Sequence, residues 1–161
     1  MLIGLYLIAI VSANLLVAQF GASVSIVTAF LFIGLDLTTR DYLHDKWQGK
    51  HLWRNMLLLI LTGSLLSAVI NRNALPIATA SFMAFLLAGV ADTVIYQLLG
   101  NKSRLVKVNG SNVVSSAVDS LVFPAIAFGF PLLIGIVIGQ FVAKVFGGFL
   151  WSLILNRLKT S

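Results

Sequence analysis

The chain's 161 residues are 59% hydrophobic and only 10% charged, and its mean hydropathy is +1.01. Soluble domains carry about 25% charged residues, so this inventory cannot build a water-facing surface, and a soluble enzyme is excluded. The absence of cysteine and glutamate leaves five aspartates as the carboxylates and removes disulfides, thiolate metal sites and thiol nucleophiles. The net charge of +6 is read as the basic loops of a membrane protein, and no nucleic-acid partner is expected.

Crossing the hydrocarbon core takes about 20 apolar residues of helix. Six stretches qualify, at 2–20, 22–39, 52–70, 75–99, 113–130 and 132–155. The expected fold is therefore all-α: a single polytopic membrane domain over 1–161 with six transmembrane helices. Val11-Ser12-Ala13 resembles a signal-peptide cleavage site, yet no basic region precedes it, so the first stretch is expected to be retained. Arg40, Lys46, Lys50, Lys102, Arg104, Lys107, Arg157 and Lys159, with Arg54 at the very start of the third stretch, gather on one face, against Arg72 alone on the other. That asymmetry predicts cytoplasmic termini in a multi-pass inner (plasma) membrane protein. Gly21 and Pro131 alone separate the first and last pairs of stretches, which makes each pair a hairpin. Pro76 and Pro131 are expected at helix starts, and Pro124 is expected to kink the fifth span.

Charges inside a membrane are costly, and each marks a functional hypothesis. Asp119 and Lys144, on hairpin-joined spans, are placed in the central-to-inner membrane. They either clamp two helices or line a substrate pocket. Asn112, Ser115, Ser116, Asp119 and Ser120 recur at helical spacings, giving a face that lines a cavity or packs against another helix. Gln140 runs beside Lys144, and Asn14 is a polar group in need of a partner. Ser81 lies beside a stripe of Ala80, Ala84 and Ala88 that leads to Asp92. Thr28, Phe32, Asp36 and Arg40 align at four-residue steps, with Asp36 and Arg40 as a clamp or a gate near the inner end. Gly135, Gly139, Ala143 and Gly147 form a small-residue face, for packing within the chain or for a homo-oligomer through Gly135 and Gly139. Tyr42, Trp47, Trp53 and Trp151 are expected to anchor against membrane lipid at the interface. His44 and His51, beside Asp41 and Asp45, are read as a solvated loop; no metal and no cofactor are expected.

The same residues carry a resemblance. Ser12-Ala13-Asn14, Phe32 to Arg40 (an aspartate, Leu-Thr, and an arginine four positions on), Ile77 to Ala84 with Asp92 downstream, Asn112 to Ser120, and Lys144-Val145 are similar, in order, to motifs of the vitamin uptake transporter family. The similarity spans nearly the whole chain. The best understood members of that family are queuosine precursor transporters, so the resemblance implies import of 7-deazaguanine bases, chiefly 7-cyano-7-deazaguanine and its aminomethyl relative. The chain departs from the family in its shorter outer loops and missing N-terminal extension. On this implication the substrate-binding candidates are Asn14, Ser81, Asn112, Ser116, Asp119, Gln140 and Lys144. Asp36, Arg40 and Asp92 are gating or structural charges. Asp119 would accept from the ring N–H and amino group of a guanine-like edge, while Asn112, Gln140 or Lys144 would donate to its carbonyl. Phe85 or Phe123 would stack on the ring.

The expected function is thus a secondary importer of a deazapurine base, not an enzyme. One alternative is the substrate-binding membrane subunit of an energy-coupling-factor-like transporter, docking through Ala9-x-x-x-Ala13. A less favoured one is a membrane enzyme acting on lipid, for which no span supplies His, Cys or Glu.

Overall fold

The computed structural model describes residues 2–47 and 51–160, and the side chains of Asp41, His44 and Asp45, with Lys50, lie outside what it describes. Among the described residues there is no strand. The chain runs through α1 (Leu2–Phe20), α2 (Val24–Thr28), a π turn (Ala29–Ile33) and α3 (Gly34–Trp47). It continues through α4 (Leu52–Ile70), a 3-10 turn (Arg72–Ala74), α5 (Leu75–Leu98), α6 (Arg104–Phe128) and α7 (Ile134–Thr160).

Among the described residues, five helical stretches are long and apolar enough to cross a membrane: Leu2–Phe20, Leu52–Ile70, Arg72–Leu98, Asn109–Phe128 and Ile134–Trp151. In lipid every backbone polar group must be satisfied within the protein, which a helix does by itself. The large apolar side chains left outside, such as Val69, Leu98 and Phe146, then face hydrocarbon rather than water.

The stretch expected at 22–39 differs. It is helical from Val24 to Trp47 but broken by the π turn, and its second half carries Asp36, Arg40 and Lys46. A π turn closes i→i+5 hydrogen bonds, so the four-residue stripe expected through Thr28, Phe32, Asp36 and Arg40 does not continue. Phe32 is only half-buried, and Ala29 and Ile33 take the inward positions between Thr28 and Asp36.

Several boundaries also move. Pro76 stands at the start of α5 as expected, whereas Pro131 lies in a five-residue link, because α6 ends at Phe128 and α7 starts at Ile134. The fifth span was expected to start at 113, but α6 begins nine residues earlier at Arg104. Lys107, expected in a loop, is in its first turn, with Nζ 4.3 Å from the ring centre of Tyr96 on α5. Alkyl stem and ring allow the charge to stay at the helix end while the helix continues.

Small residues set how closely the elements approach. A Cβ on Gly34 would lie 2.6 Å from the backbone of Gly147, and one on Gly147 would overlap the carbonyl of Phe30. One on Gly139 would meet Ile26 at 2.5 Å, while Gly135 has open space around it. The small-residue face of α7 therefore receives α2, the π turn and α3 of the same chain, and the expected oligomer face retains only Gly135. Ala9 and Ala13, expected as a docking stripe, are likewise buried inside the bundle.

Two apolar clusters divide the interior by depth. Tyr6, Ile10, Ile33, Leu43, Leu59, Ile60 and Phe85 gather toward the end where α3 hands over to α4. Val17, Ile77, Ala80, Ala84 and Phe123 gather toward the end where Gly21 links α1 to α2. Asn14, Ser81, Asp119, Gln140 and Lys144 line a cavity whose walls include Val17 and Phe123 of one cluster and Ala13, Ile33 and Phe85 of the other.

Candidate substrate site

The polar layer is assembled from five of the helices. On α6, Ser115, Ser116, Asp119 and Ser120 are each at most 3% exposed. Opposite them on α7, Lys144 places Nζ 2.7 Å from Oδ2 of Asp119. The ammonium also donates to Ser120 Oγ at 3.2 Å and to Gln140 Oε1 at 3.1 Å, so all three of its donors are engaged. Gln140 passes the chain on, its Nε2 donating to Ser25 Oγ on α2 at 2.8 Å, and Ser25 donates to the carbonyl of Ala22. Asn14 of α1 donates from Nδ2 to Ser67 Oγ on α4 at 3.1 Å, and Ser67 donates to Gly63.

A small cavity sits within this network, of about 20 Å³, which is room for about one water molecule. Asn14, Ser25, Thr28, Ser81, Asp119, Gln140 and Lys144 line it, with Phe85 and Phe123 among its apolar walls. Five of the seven expected binding residues therefore converge. Asn112 and Ser116 do not line it: Ser116 is buried elsewhere on α6, and Asn112 lies about 10 Å from Asp119 along the helix, at about 1.5 Å per residue. Asp119 and Lys144 fall near the middle of the spanning stretches Asn109–Phe128 and Ile134–Trp151, in the central part of the depth range expected for them.

Sequence reasoning missed Ser25 and Tyr6. Ser25 and Thr28 are three apart on one helical face, and that spacing was available as a signal. Tyr6 is fully buried and lies within electrostatic reach of Asp36, Arg40 and Asp119. It links the buried Asp36–Arg40 motif to the central layer, and a lone tyrosine in an apolar run offered no hint of that.

A second cavity of about 70 Å³ lies between α3, α4 and α5. Arg40 and Asp92 line it amid mostly apolar side chains, and Phe85 is a wall of both cavities. Oδ1 of Asp92 is buried without a hydrogen-bond partner among the described residues. Trp151 donates its indole N–H to the carbonyl of Leu31 in the π turn at 2.9 Å. Thr38 Oγ1 donates to Gly148 O at 3.1 Å and to Gly34 O at 3.0 Å. The bonds to Leu31 and Gly148, with the glycine contacts, hold α7 against the π turn and α3.

A multi-helix membrane protein with a small polar chamber at mid-depth is the class these features define. The family model described as "Putative vitamin uptake transporter" matches residues 5–156. The chain belongs to the vitamin uptake transporter family. Comparison with curated proteins and with solved structures gave no match.

Proposed function

We propose that this vitamin-uptake-type transporter imports 7-deazaguanine bases, acting without a separate ATPase. In this reading α2, the π turn and α3 together form a sixth crossing, and both termini face the cytoplasm. The observation that carries it is the buried chain Asp119–Lys144–Gln140–Ser25, bounded by Phe85 and Phe123. A carboxylate is a two-oxygen acceptor for an N–H and an amino group, and Gln140 and Lys144 are donors for a ring carbonyl. The two phenylalanines offer faces for a flat bicyclic ring. An unpaired polar group in such a dry site is penalised, so analogues lacking one donor or acceptor are rejected. The chamber has water-sized dimensions, and a base enters it only when the bundle opens, as alternating access requires.

Burial of Ala9 and Ala13 favours transport by the chain alone over an energy-coupling-factor-like subunit docking there. The test is uptake of labelled 7-cyano- and 7-aminomethyl-7-deazaguanine into cells unable to synthesise them, with and without this gene. Gene-dependent uptake without an added ATPase is expected. Equal uptake in both strains would overturn the substrate assignment.

A further inference from the structure

Phe85 has two sides. It is 3% exposed and belongs to the apolar cluster at the α3–α4 end, yet it lines both the central chamber and the larger Arg40–Asp92 cavity. Phe123 also lines the central chamber, but it belongs to the opposite apolar cluster and does not touch the second cavity. One aromatic side chain therefore separates two spaces on one side of the chamber, with a different one closing the other side.

We propose that the Arg40–Asp92 cavity is a second binding station for the same flat heteroaromatic solute, on its way between the chamber and the α3–α4 end, and that Phe85 is the partition between the stations. The inference rests on the transport function proposed above. The second cavity has the chemistry for such an occupant. Its walls are mainly apolar, with the ring of Trp53 at its outer side, and Asp92 offers a buried acceptor oxygen. It is larger than the chamber, about 70 against 20 Å³. Its residues Leu52 and Trp53 begin α4, so it lies at the end reached from the α3–α4 link. Both spaces contact that ring, so its displacement is the change that would join them.

The chain contains no cysteine, so single cysteines report accessibility without background. Ser81→Cys reports on the chamber. Gly89→Cys reports on the second cavity, where an added Cβ meets nothing within 4 Å. Each is made in the full-length chain with Phe85, Phe85→Ala or Phe123→Ala, and treated in sealed membrane vesicles of both orientations with a charged methanethiosulfonate. Gly89→Cys is expected to react from one side in all three backgrounds, which also verifies folding. From that side, Ser81→Cys is expected to react at least tenfold faster with Phe85→Ala and at an unchanged rate with Phe123→Ala. Equal acceleration by both truncations would mean general loosening and overturn the partition, as would no acceleration by either. In a parallel arm, Asp92→Asn is expected to slow uptake of the labelled base at least tenfold while changing equilibrium binding less than twofold. Unchanged uptake would overturn the second station. The accessibility arm needs no substrate, so a chain that passes it but takes up no deazaguanine refutes the substrate assignment and leaves the partition standing.

Discussion

Asp119 and Lys144 form a salt bridge at mid-membrane, with side chains 5% and 2% exposed. A buried pair of this kind is weak evidence for stability on its own, because desolvation offsets most of the attraction. Breaking it by removing one partner is another matter and commonly costs about 3–5 kcal/mol. Asp119→Asn replaces an acceptor oxygen with a donor and leaves Lys144 without its countercharge. Base binding, measured on monodisperse protein, is expected to fall more than about a hundredfold, since about 1.4 kcal/mol is a factor of ten. If the pair merely clamps two helices, the Asp119→Leu/Lys144→Met double variant will recover uptake; loss of uptake in both single and double variants is the outcome expected of a binding role. Asp36 is fully buried but does not line the central chamber. Asp36→Asn is therefore expected to lower the transport rate with equilibrium binding largely retained, and abolished binding in folded protein would contradict its assignment to the inner gate.

The elements were legible in the sequence to very different degrees. α1 and α4 begin and end where apolar length alone puts them. α6 does not, because its first turns are polar and basic, and hydropathy cannot tell a helix that protrudes from a membrane from a loop that follows it. The π turn was invisible for a related reason: Ala29–Ile33 is an ordinary apolar run, and its widened register comes from what α7 offers it. Gly147 makes room for the Phe30 carbonyl, and Trp151 supplies a donor to Leu31. The polar chamber was largely readable because buried charges in an apolar span leave few alternatives, whereas Ser25 and Tyr6 acquire their place only from tertiary packing. The helix contacts also make a graded prediction. Gly147→Val and Gly139→Leu are expected to lower thermal stability in detergent sharply, since a side chain must displace backbone or Ile26. Gly135→Ala is expected to leave it unchanged or slightly raised, as its surroundings are open.

For the whole molecule, the polar chamber is walled by residues of two apolar clusters. Under the proposed transport function, these clusters are the parts that would separate in turn to admit and release the base. The orientation proposed for it rests on loop charge. Reporter fusions at Ser161 and beside Arg72 are expected to fall on opposite sides of the membrane, with the Ser161 fusion cytoplasmic. Both reporters on one side would mean that α5, α6 and α7 do not all cross, and the six-crossing arrangement would fail.

The π turn also makes the protein unusually sensitive to chain length at one place. A residue removed from an α-helix rotates everything beyond it by about 100° and draws it back by about 1.5 Å. Here α2 is fixed by Ser25 to Gln140, and α3 by Thr38 to Gly148, so the five-residue turn absorbs a phase difference between two anchored halves. Deleting Phe30 removes the backbone segment that packs on Gly147 and shortens the path between the Ser25 and Thr38 anchors, which strains the placement of Asp36 and Arg40. Substitution at the same site is a mild change, because the Phe30 side chain points outward and is 36% exposed. Phe30→Ala is expected to keep uptake near the parent level, and the single-residue deletion to abolish it while circular dichroism reports the same helix content. Preserved uptake in the deletion would show that the phase of this helix is free to vary, and the site would then tolerate gain or loss of a codon like any exposed loop.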